Sequence, residues 1–450
     1  MIYLIAAIAS LTGLLFGFDE GIIAGVLDNI TTDFQLHHYE IGFMMGLLPL
    51  AALFSAFFTG KLADRIGRLH VLYFISILFA IGTLGIVLFH SFVILCIARF
   101  LLGLTIGMSV VIAPLYIAET APEKIRGKLV ICFQLAITIG ILSSYAISAL
   151  LTGLISWHWM FATGLLPASA LFIGSLFLPE SPRWLLMKGR NKEARIVLYQ
   201  LYGKKSHPEK IEKELNQIQD ALSHTTTQGV FKELFSKRGM PCLLIGVSLF
   251  FFQQMSGINV VIYFAPKIFQ AMHMGARSAT LLATVGVGLV NTLMTCVSFS
   301  LIERIGRRSL LLFGFFGAAC SLGMIGIFTL MDGSIFQYLA TIAIFLYISA
   351  FAIGLGPVPF VLASEIFPLK IRGQGMSFAA TSNWTFNTLV VSSFPSLLVS
   401  IGVSYIFLFY SAICVLGLLY TLRFIPETKG LSLEQIEEYV QSGKPLNTLR

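Results

Sequence analysis

Gln253 and Gln254 stand side by side inside an apolar run from Leu243 to about Ala271, followed by Ser256, Gly257, Asn259 and Tyr263. Each carboxamide carries donors and acceptors. Hydrocarbon offers partners to neither, so uncompensated burial costs several kcal/mol. At ~100° per residue, Gln253, Ser256, Asn259 and Tyr263 share an arc of about 120° on an ideal helix, and Gln254 falls outside it. Gln254 can join the others only where the helix is distorted, and Ser256-Gly257 is the natural place for that. A rosette of uncharged donors and acceptors beside an aromatic ring suits a neutral polyol such as a sugar. The same amides would serve equally well as glue between packed helices, and these residues alone leave both readings open.

The sharpest charge is Asp19, in the apolar context GLLFGFDEG. A carboxylate at membrane depth is expensive and reads as functional. Arg99, in CIARFLLGL, is the basic residue inside a helix of the same half. The expected arrangement is an ion pair that can open, so that movement of Arg99 switches the proton affinity of Asp19. The alternative is a static structural pair. Glu20, one residue on, is expected to point elsewhere, at an outer mouth. Further polar residues interrupt apolar helices: Gln134 in LVICFQLAITIG, Asn291 in VGLVNTLM, and Asn383, Trp384 and Asn387 in ATSNWTFN. Gly356-Pro357 should break a helix and free a carbonyl, and an indole offers an apolar platform to sugar C–H faces.

These residues need elements that hold them within a bilayer. The chain has 450 residues, 56% hydrophobic, with 39 phenylalanines and only 12% charged, and a mean hydropathy of +0.86. A soluble domain would carry about a quarter charged residues, so composition leaves a polytopic membrane protein. Twelve apolar segments are legible, each able to cross a core that about 20 helical residues span. They run 2–28, 42–60, 69–89, 92–117, 129–153 and 157–178, then 241–270, 278–302, 309–331, 337–363, 374–400 and 403–425. No cleavable leader is expected, because the first run has neither a basic start nor a clean small-residue cleavage site. The polar stretch 180–239 has a helical stripe at Ile211, Leu215, Ile218 and Leu222, that of a helix lying against something. The six cysteines are scattered singly and are expected to be buried free thiols.

Of the 30 Lys and Arg, all but Lys267, Arg277 and Arg99 fall in alternate loops, the central stretch and the tail. That bias puts those loops and both termini on the cytoplasmic side and accounts for the net charge of +8 without a nucleic-acid partner. The longest loop of the other side is expected around Asp28–Glu40. The chain also repeats itself: ADRIGR at 63–68 echoes IERIGR at 302–307, AETAPEKIRG at 118–127 echoes SEIFPLKIRG at 364–373, and PESPRW at 179–184 echoes PETKG at 426–430. A parallel repeat of two six-helix halves places a substrate site between them near the midplane, with rocking giving alternating access. The expected organisation is therefore an all-α membrane protein. Its parts are a six-helix half at 1–179, a cytoplasmic helical linker at 180–239, a second half at 240–425 and a tail at 426–450.

The repeated charges form two sets at the cytoplasmic helix ends: Asp64, Arg65, Arg68, Glu119 and Arg126, then Glu303, Arg304, Arg307, Glu365 and Arg372. Glu180 and Glu427 add an acid after the last helix of each half. Such groups can pair between neighbouring helices, and a network holding the inner ends together would favour an outward-facing state. Phe299 stands where the first half has Gly60, so close helix approach is not expected to repeat there.

GKLADRIGR, AETAPEKIRG, PESPRW, FQQMSGINVVIYFAP, SEIFPLKIRG and PETKG, in this order, resemble the sugar porter family of the major facilitator superfamily, from Gly13 to Gly430. The resemblance implies the twelve-helix major facilitator fold and monosaccharide transport. It matches Asp19 to the proton-coupling Asp of the family's symporters. It sets Gln134, Gln253, Gln254, Asn259, Asn291, Gly356, Asn383 and Trp384 where sugar hydroxyls are held, and Phe16 and Tyr263 in an aromatic wall. Phe360 replaces the Trp of many glucose-type members, in GPVPF rather than GPVPW. Ile141 and Asn383 replace glutamines of the xylose-type carrier. The pocket thus looks hexose-like, with pentoses and polyols such as inositol still open.

No catalytic constellation, phosphate loop or metal-ligand spacing is present, so neither an enzyme nor a cofactor is expected. The reading is a proton-linked monosaccharide symporter of a bacterial-type inner membrane, working as a monomer with sugar, proton and lipid as its partners. A facilitative uniporter is the alternative. A membrane sugar sensor is the other class, and stretches of about 60 and 25 residues are short for a signalling domain.

Overall fold

The computed structural model describes the chain apart from residues 203–208, 210, 213, 214, 217, 218, 220–229, 273–276, 369, 370, 432, 443, 445 and 447–450, and apart from the side chains at 123, 124, 126–128, 230, 231, 277, 278, 433, 434 and 441. Ile218, Leu222 and Lys370 lie outside the described residues. Ile211 and Leu215, the rest of the central stripe, are buried.

The fold is all-α. The first six membrane spans are α1 (Ile2–Asp33), α2 (His38–Ile66), α3 (Arg68–Leu88), α4 (Phe92–Thr120), α5 (Glu123–Leu151), and the short pair α6 (Trp157–Ala162) and α7 (Leu165–Ser175). The connecting stretch holds α8 (Pro182–Met187), α9 (Asn191–Tyr202) and α10 (Val230–Leu234). Then come α11 (Gly239–Met255) with α12 (Ile258–Ala271), α13 (Arg277–Ile305), α14 (Arg307–Phe328), and α15 (Ser334–Ala350), which runs through a π-helical turn (Phe351–Leu355) into α16 (Val358–Ile366). The last two spans form one helix, α17 (Arg372–Phe424), folded back at Gly402, where φ is 80° and ψ 164°. A tail helix, α18 (Leu433–Gln441), follows. Twelve spans result, as the major facilitator fold requires.

The loop expected around Asp28–Glu40 contracts to four residues, because α1 continues to Asp33. Thr31 and Thr32 donate their hydroxyls back to Leu27 O and Asp28 O at 2.8 Å each. Asp33 accepts the Trp157 indole N–H at 2.6 Å, fixing the end of α1 to the start of α6. Glu40 then caps α2 by accepting from His37 N at 2.8 Å.

Small residues set the helix spacing, as is usual where lipid gives no hydrophobic drive to association. A Cβ on Gly17 would lie 1.9 Å from Ile137 O, and one on Gly140 would lie 2.3 Å from Leu14 O, so α1 and α5 touch backbone to backbone. The cysteines differ from expectation: Cys242 and Cys414 are buried, but Cys296 and Cys320 are exposed on the bundle surface, where a thiol faces lipid at little cost.

The repeat is visible at two corners. Gly67 and Gly306 both have φ of 103°, the left-handed side favoured by glycine. Each turn lets an acid from beyond the sixth or twelfth span reach the N-terminus of the next helix. Glu180 accepts from Arg68 N at 3.0 Å and Leu69 N at 3.2 Å. Glu427 accepts from Arg307 N at 2.9 Å and Arg308 N at 3.1 Å. A carboxylate there also meets the positive end of the helix dipole.

Candidate functional site

The break at Ser256-Gly257 builds the polar cluster. Gly257 sits at φ 83°, ending α11 and starting α12. With the helix broken, Gln254 is no longer bound to the wrong arc: its Oε1 accepts from Asn259 Nδ2 at 2.7 Å. Gln253 turns the other way and ties three helices together. Its Nε2 donates to Leu355 O at 2.7 Å and Gly356 O at 3.0 Å, and its Oε1 accepts from Asn383 Nδ2 at 2.8 Å. Those carbonyls are available because the π turn redirects the ladder, Gly356 N donating to Phe351 O at 2.8 Å. Trp384, next to Asn383, lies with its ring centroid 5.9 Å from that of Phe16 on α1.

Gln134 and Asn291 make no described bond to this group, but their helices meet beside them. Thr292 donates its hydroxyl to Thr138 O at 3.2 Å, one turn beyond Gln134. Asn291 is buried and Gln134 half-buried. Phe360 is 37% exposed and lies edge-on to Phe250 at 4.7 Å. Asn387 is buried with its Oδ1 lacking a partner among the described residues.

Asp19 and Arg99 meet at 2.6 Å, Oδ2 to Nη1, both fully enclosed. Asp19 Oδ1 and Arg99 Nε and Nη2 have no hydrogen-bond partner among the described residues, so the pair is single-pronged. Unmet polar capacity in an enclosed space is costly and leaves this contact open to rearrangement. Glu20 does not sit at a mouth. It is buried and accepts the Tyr263 hydroxyl at 3.0 Å, joining α1 to α12. Sequence reasoning missed it by placing it on its own helix without the facing one; the signal was an acid next to Asp19 at the same depth.

At the loop end rich in Arg and Lys, Arg68 holds Glu119 in a fork, Nε and Nη2 each at 2.8 Å, and reaches Asp64 at 3.0 Å. Ser181 donates to the same Glu119 at 2.5 Å. Burial pushes the Glu180 carboxyl above the ordinary glutamate range, against the pull of the N–H groups of Ser181, Leu69 and Arg68. In the second set, Arg307 reaches Glu365 at 2.8 Å and Glu303 at 3.3 Å, and Thr428 donates to Glu365 at 2.5 Å. Two residues of the expected network stand apart among the described residues. Arg65 and Arg304 are exposed and pair with no acid among the described residues, because they lie on the outer face of their turns. Arg372 donates to Phe367 O at 3.1 Å. The Arg126 side chain lies outside the described residues. The bonds described here close each set on itself rather than bridging the two.

The described bonds that join the first six-helix set (residues 1–179) to the second (residues 240–425) lie between mid-depth and the other end. Tyr145 donates to Ile262 O at 2.7 Å, Thr292 to Thr138 O, Tyr263 to Glu20, and Gln270 to Asp28 at 2.7 Å, with Lys267 at 3.9 Å from the same Asp28. At that end a Cβ on Gly42 would lie 2.2 Å from Ser392 O, whereas Gly60, further along the same helix, has nothing within 4 Å.

A family model described as sugar (and other) transporter matches residues 5–439. The chain is 37% identical to the D-xylose transporter of Levilactobacillus brevis, covering 95% of this chain and 93% of that protein. It is 36% identical to the galactose-proton symporter of Escherichia coli K12, covering 100% and 96%. Its fold is similar to the inward-open conformation of the xylose transporter XylE from E. coli, with a TM-score of 0.84, 28% identity and coverage of 98% and 100%.

Proposed function

This chain belongs to the sugar transporter family, and on that premise we propose that it imports a monosaccharide together with a proton by alternating access across a bacterial-type inner membrane. The observation that carries the reading is the buried Asp19–Arg99 pair at 2.6 Å, in a chain that also holds a cluster of neutral amides. Carboxamides and a tryptophan suit hydroxyls and C–H faces, and a carboxylate that can part from its only described cation suits a proton. The names of the relatives, which include a galactose-proton symporter, point the same way.

In this reading the Arg- and Lys-rich end is cytoplasmic and the two six-helix sets, 1–179 and 240–425, move as units. The segment 180–239 links them, 426–450 is a cytoplasmic tail, and one chain suffices. The outer end is sealed in the conformation described, by Asp28 with Gln270 and Lys267 and by Gly42 against Ser392. Asp19 loads a proton from outside while parted from Arg99. Sugar bridges Gln254, Asn259, Asn291, Gln134 and Trp384, with Phe16 and Tyr263 as walls, and the outer helices close. After sugar and proton leave inward, Arg99 re-forms the pair and the empty carrier returns. Phe360 in place of a tryptophan leaves the family's pocket without one indole donor, and the substrate range should shift accordingly.

Sugar added to lightly buffered cells expressing the chain should alkalinise the medium, and a panel of hexoses and pentoses identifies the substrate. Asp19→Asn should abolish accumulation while retaining sugar exchange. Uptake without alkalinisation, insensitive to an uncoupler, would instead make this a facilitator.

A further inference from the structure

His90 and His158 lie 68 positions apart in the chain, so no ligand spacing announces them. The fold brings His90 Nδ1 within 3.3 Å of His158 Nε2. His90 stands in the corner between α3 and α4, and His158 in the first turn of α6. That corner is at the end of these helices away from Arg68 and Glu119. His90 is exposed and His158 half-buried, so a solute reaches both. Each ring is also held against a neighbour. Phe34 stacks on His90 with centroids 4.8 Å apart and planes 24° apart. Trp157 stacks on His158 at 3.6 Å and 25°. Trp157 is itself buried, and its indole N–H is pinned to Asp33 at 2.6 Å. Rings positioned in advance give up little freedom on taking a shared ligand.

We propose that His90 and His158 form a two-imidazole site for a divalent transition metal, with zinc the best fitted. Two nitrogens bound to one tetrahedral zinc at about 2.0–2.1 Å lie about 3.3–3.4 Å apart, the separation already present between these rings. Imidazole suits zinc, copper and nickel, whereas calcium and magnesium take oxygen ligands. A neutral imidazole has one N–H and one lone pair. For both rings to face the metal with lone pairs, His90 carries its proton on Nε2 and His158 on Nδ1, so binding to the neutral pair releases no proton. Among the described residues no third His, Cys, Asp or Glu joins them. Water then fills the remaining positions, and the ion stays exchangeable. Bound there, it braces the α3–α4 corner to α6 and, through Trp157 and Asp33, to the end of α1. All of these belong to the first six-helix set, so the brace stiffens that set without crossing to the second. The site is independent of the transport reading above.

The test is a calorimetric titration of zinc chloride into the purified, untagged full chain. It is repeated with His90→Asn, with His158→Asn and, as a control, with the double variant His37→Asn/His38→Asn. Either single variant should bind zinc at least about tenfold more weakly, since even the loss of a residue that only orients a metal ligand costs about 10–100-fold. The control should bind as the wild type does. Zinc should also raise the melting temperature of the wild type and the control, because it binds the folded chain, and leave both single variants unmoved. Absence of saturable zinc binding, or binding undiminished in both single variants, overturns the proposal and leaves only a hydrogen-bonded pair of rings. Magnesium chloride that raises the melting temperature as zinc does overturns it too. A readout that needs no variant is the electron paramagnetic resonance spectrum of copper(II) added at one equivalent to the wild type. Coupling to two imidazole nitrogens is expected, and coupling to fewer overturns the site even if a variant does not fold.

Discussion

Gln253 and Gln254 are neighbours of the same type, yet the geometry gives them different work, and truncating each should separate stability from binding. Gln253 makes three bonds, to Leu355 O, Gly356 O and Asn383 Nδ2. At about 0.6–1 kcal/mol for each interhelical bond in a membrane protein, Gln253→Ala should cost about 2–3 kcal/mol of folding stability. Gln254 makes one described bond, to Asn259, so Gln254→Ala should cost about 1 kcal/mol at most. Its remaining amide capacity, with that of Asn259, is what a sugar hydroxyl can use. Loss of one such bond to ligand is worth about 1.4 kcal/mol, a tenfold weaker Kd. Thermal unfolding of both purified variants, followed by sugar affinity from a scintillation proximity assay, reads the two quantities separately. Gln253→Ala should melt clearly lower, and Gln254→Ala should melt near the wild type while binding at least tenfold more weakly. A Gln254→Ala protein with unchanged affinity, or one destabilised as much as Gln253→Ala, refutes the division.

Three further outcomes are expected. Gly17→Ala drives a methyl into Ile137 O, which would lie 1.9 Å away; backbone cannot give, so the cost should reach about 1–3 kcal/mol or more, seen as a lower melting temperature and slower uptake. Gly257→Ala forces a side chain into left-handed backbone at φ 83° and against the Tyr410 ring at 2.5 Å. About 1–2 kcal/mol of backbone strain should then loosen the Gln254–Asn259 arrangement, which a sugar-binding titration would register. Arg68→Lys replaces a two-pronged contact with Glu119 by a single one and should lose about 1.5–3 kcal/mol, measured by thermal unfolding, with the mirror change Arg307→Lys costing less because Arg307 meets Glu365 through one nitrogen.

The twelve spans were legible because membrane helices must satisfy their own backbone and so write long apolar runs. What was not legible is where those runs bend. The sixth span is two short helices with a turn at Thr163-Gly164, and the last two spans share one helix folded at Gly402. The break at Ser256-Gly257 was readable from glycine beside serine. The π turn before Gly356-Pro357 was readable only as a break, since its wider ladder depends on what packs against it. The pairing of Asp19 with Arg99 followed from their isolation in hydrocarbon. The bond between Glu20 and Tyr263 did not, because an ideal helix wheel says nothing about which partner helix approaches, or from where. Likewise Arg65 and Arg68 look alike in ADRIGR, yet only Arg68 follows the glycine turn inward to Glu119.

The twin corners at Gly67 and Gly306 have a mechanical consequence. Each carboxylate beyond the sixth or twelfth span clamps the start of the third helix of its own set. Each set is thereby closed into a hoop by bonds it supplies itself. Stiffness then resides within the hoops, and compliance collects in the few bonds between them: Tyr145 to Ile262, Tyr263 to Glu20, Thr292 to Thr138, and Asp28 to its two partners. A change of tilt strains those bonds and the packing of Gly42 on Ser392 and of Phe16 on Trp384. Small energies, of the size a sugar or one proton supplies, are then enough to reset the angle without disturbing either hoop.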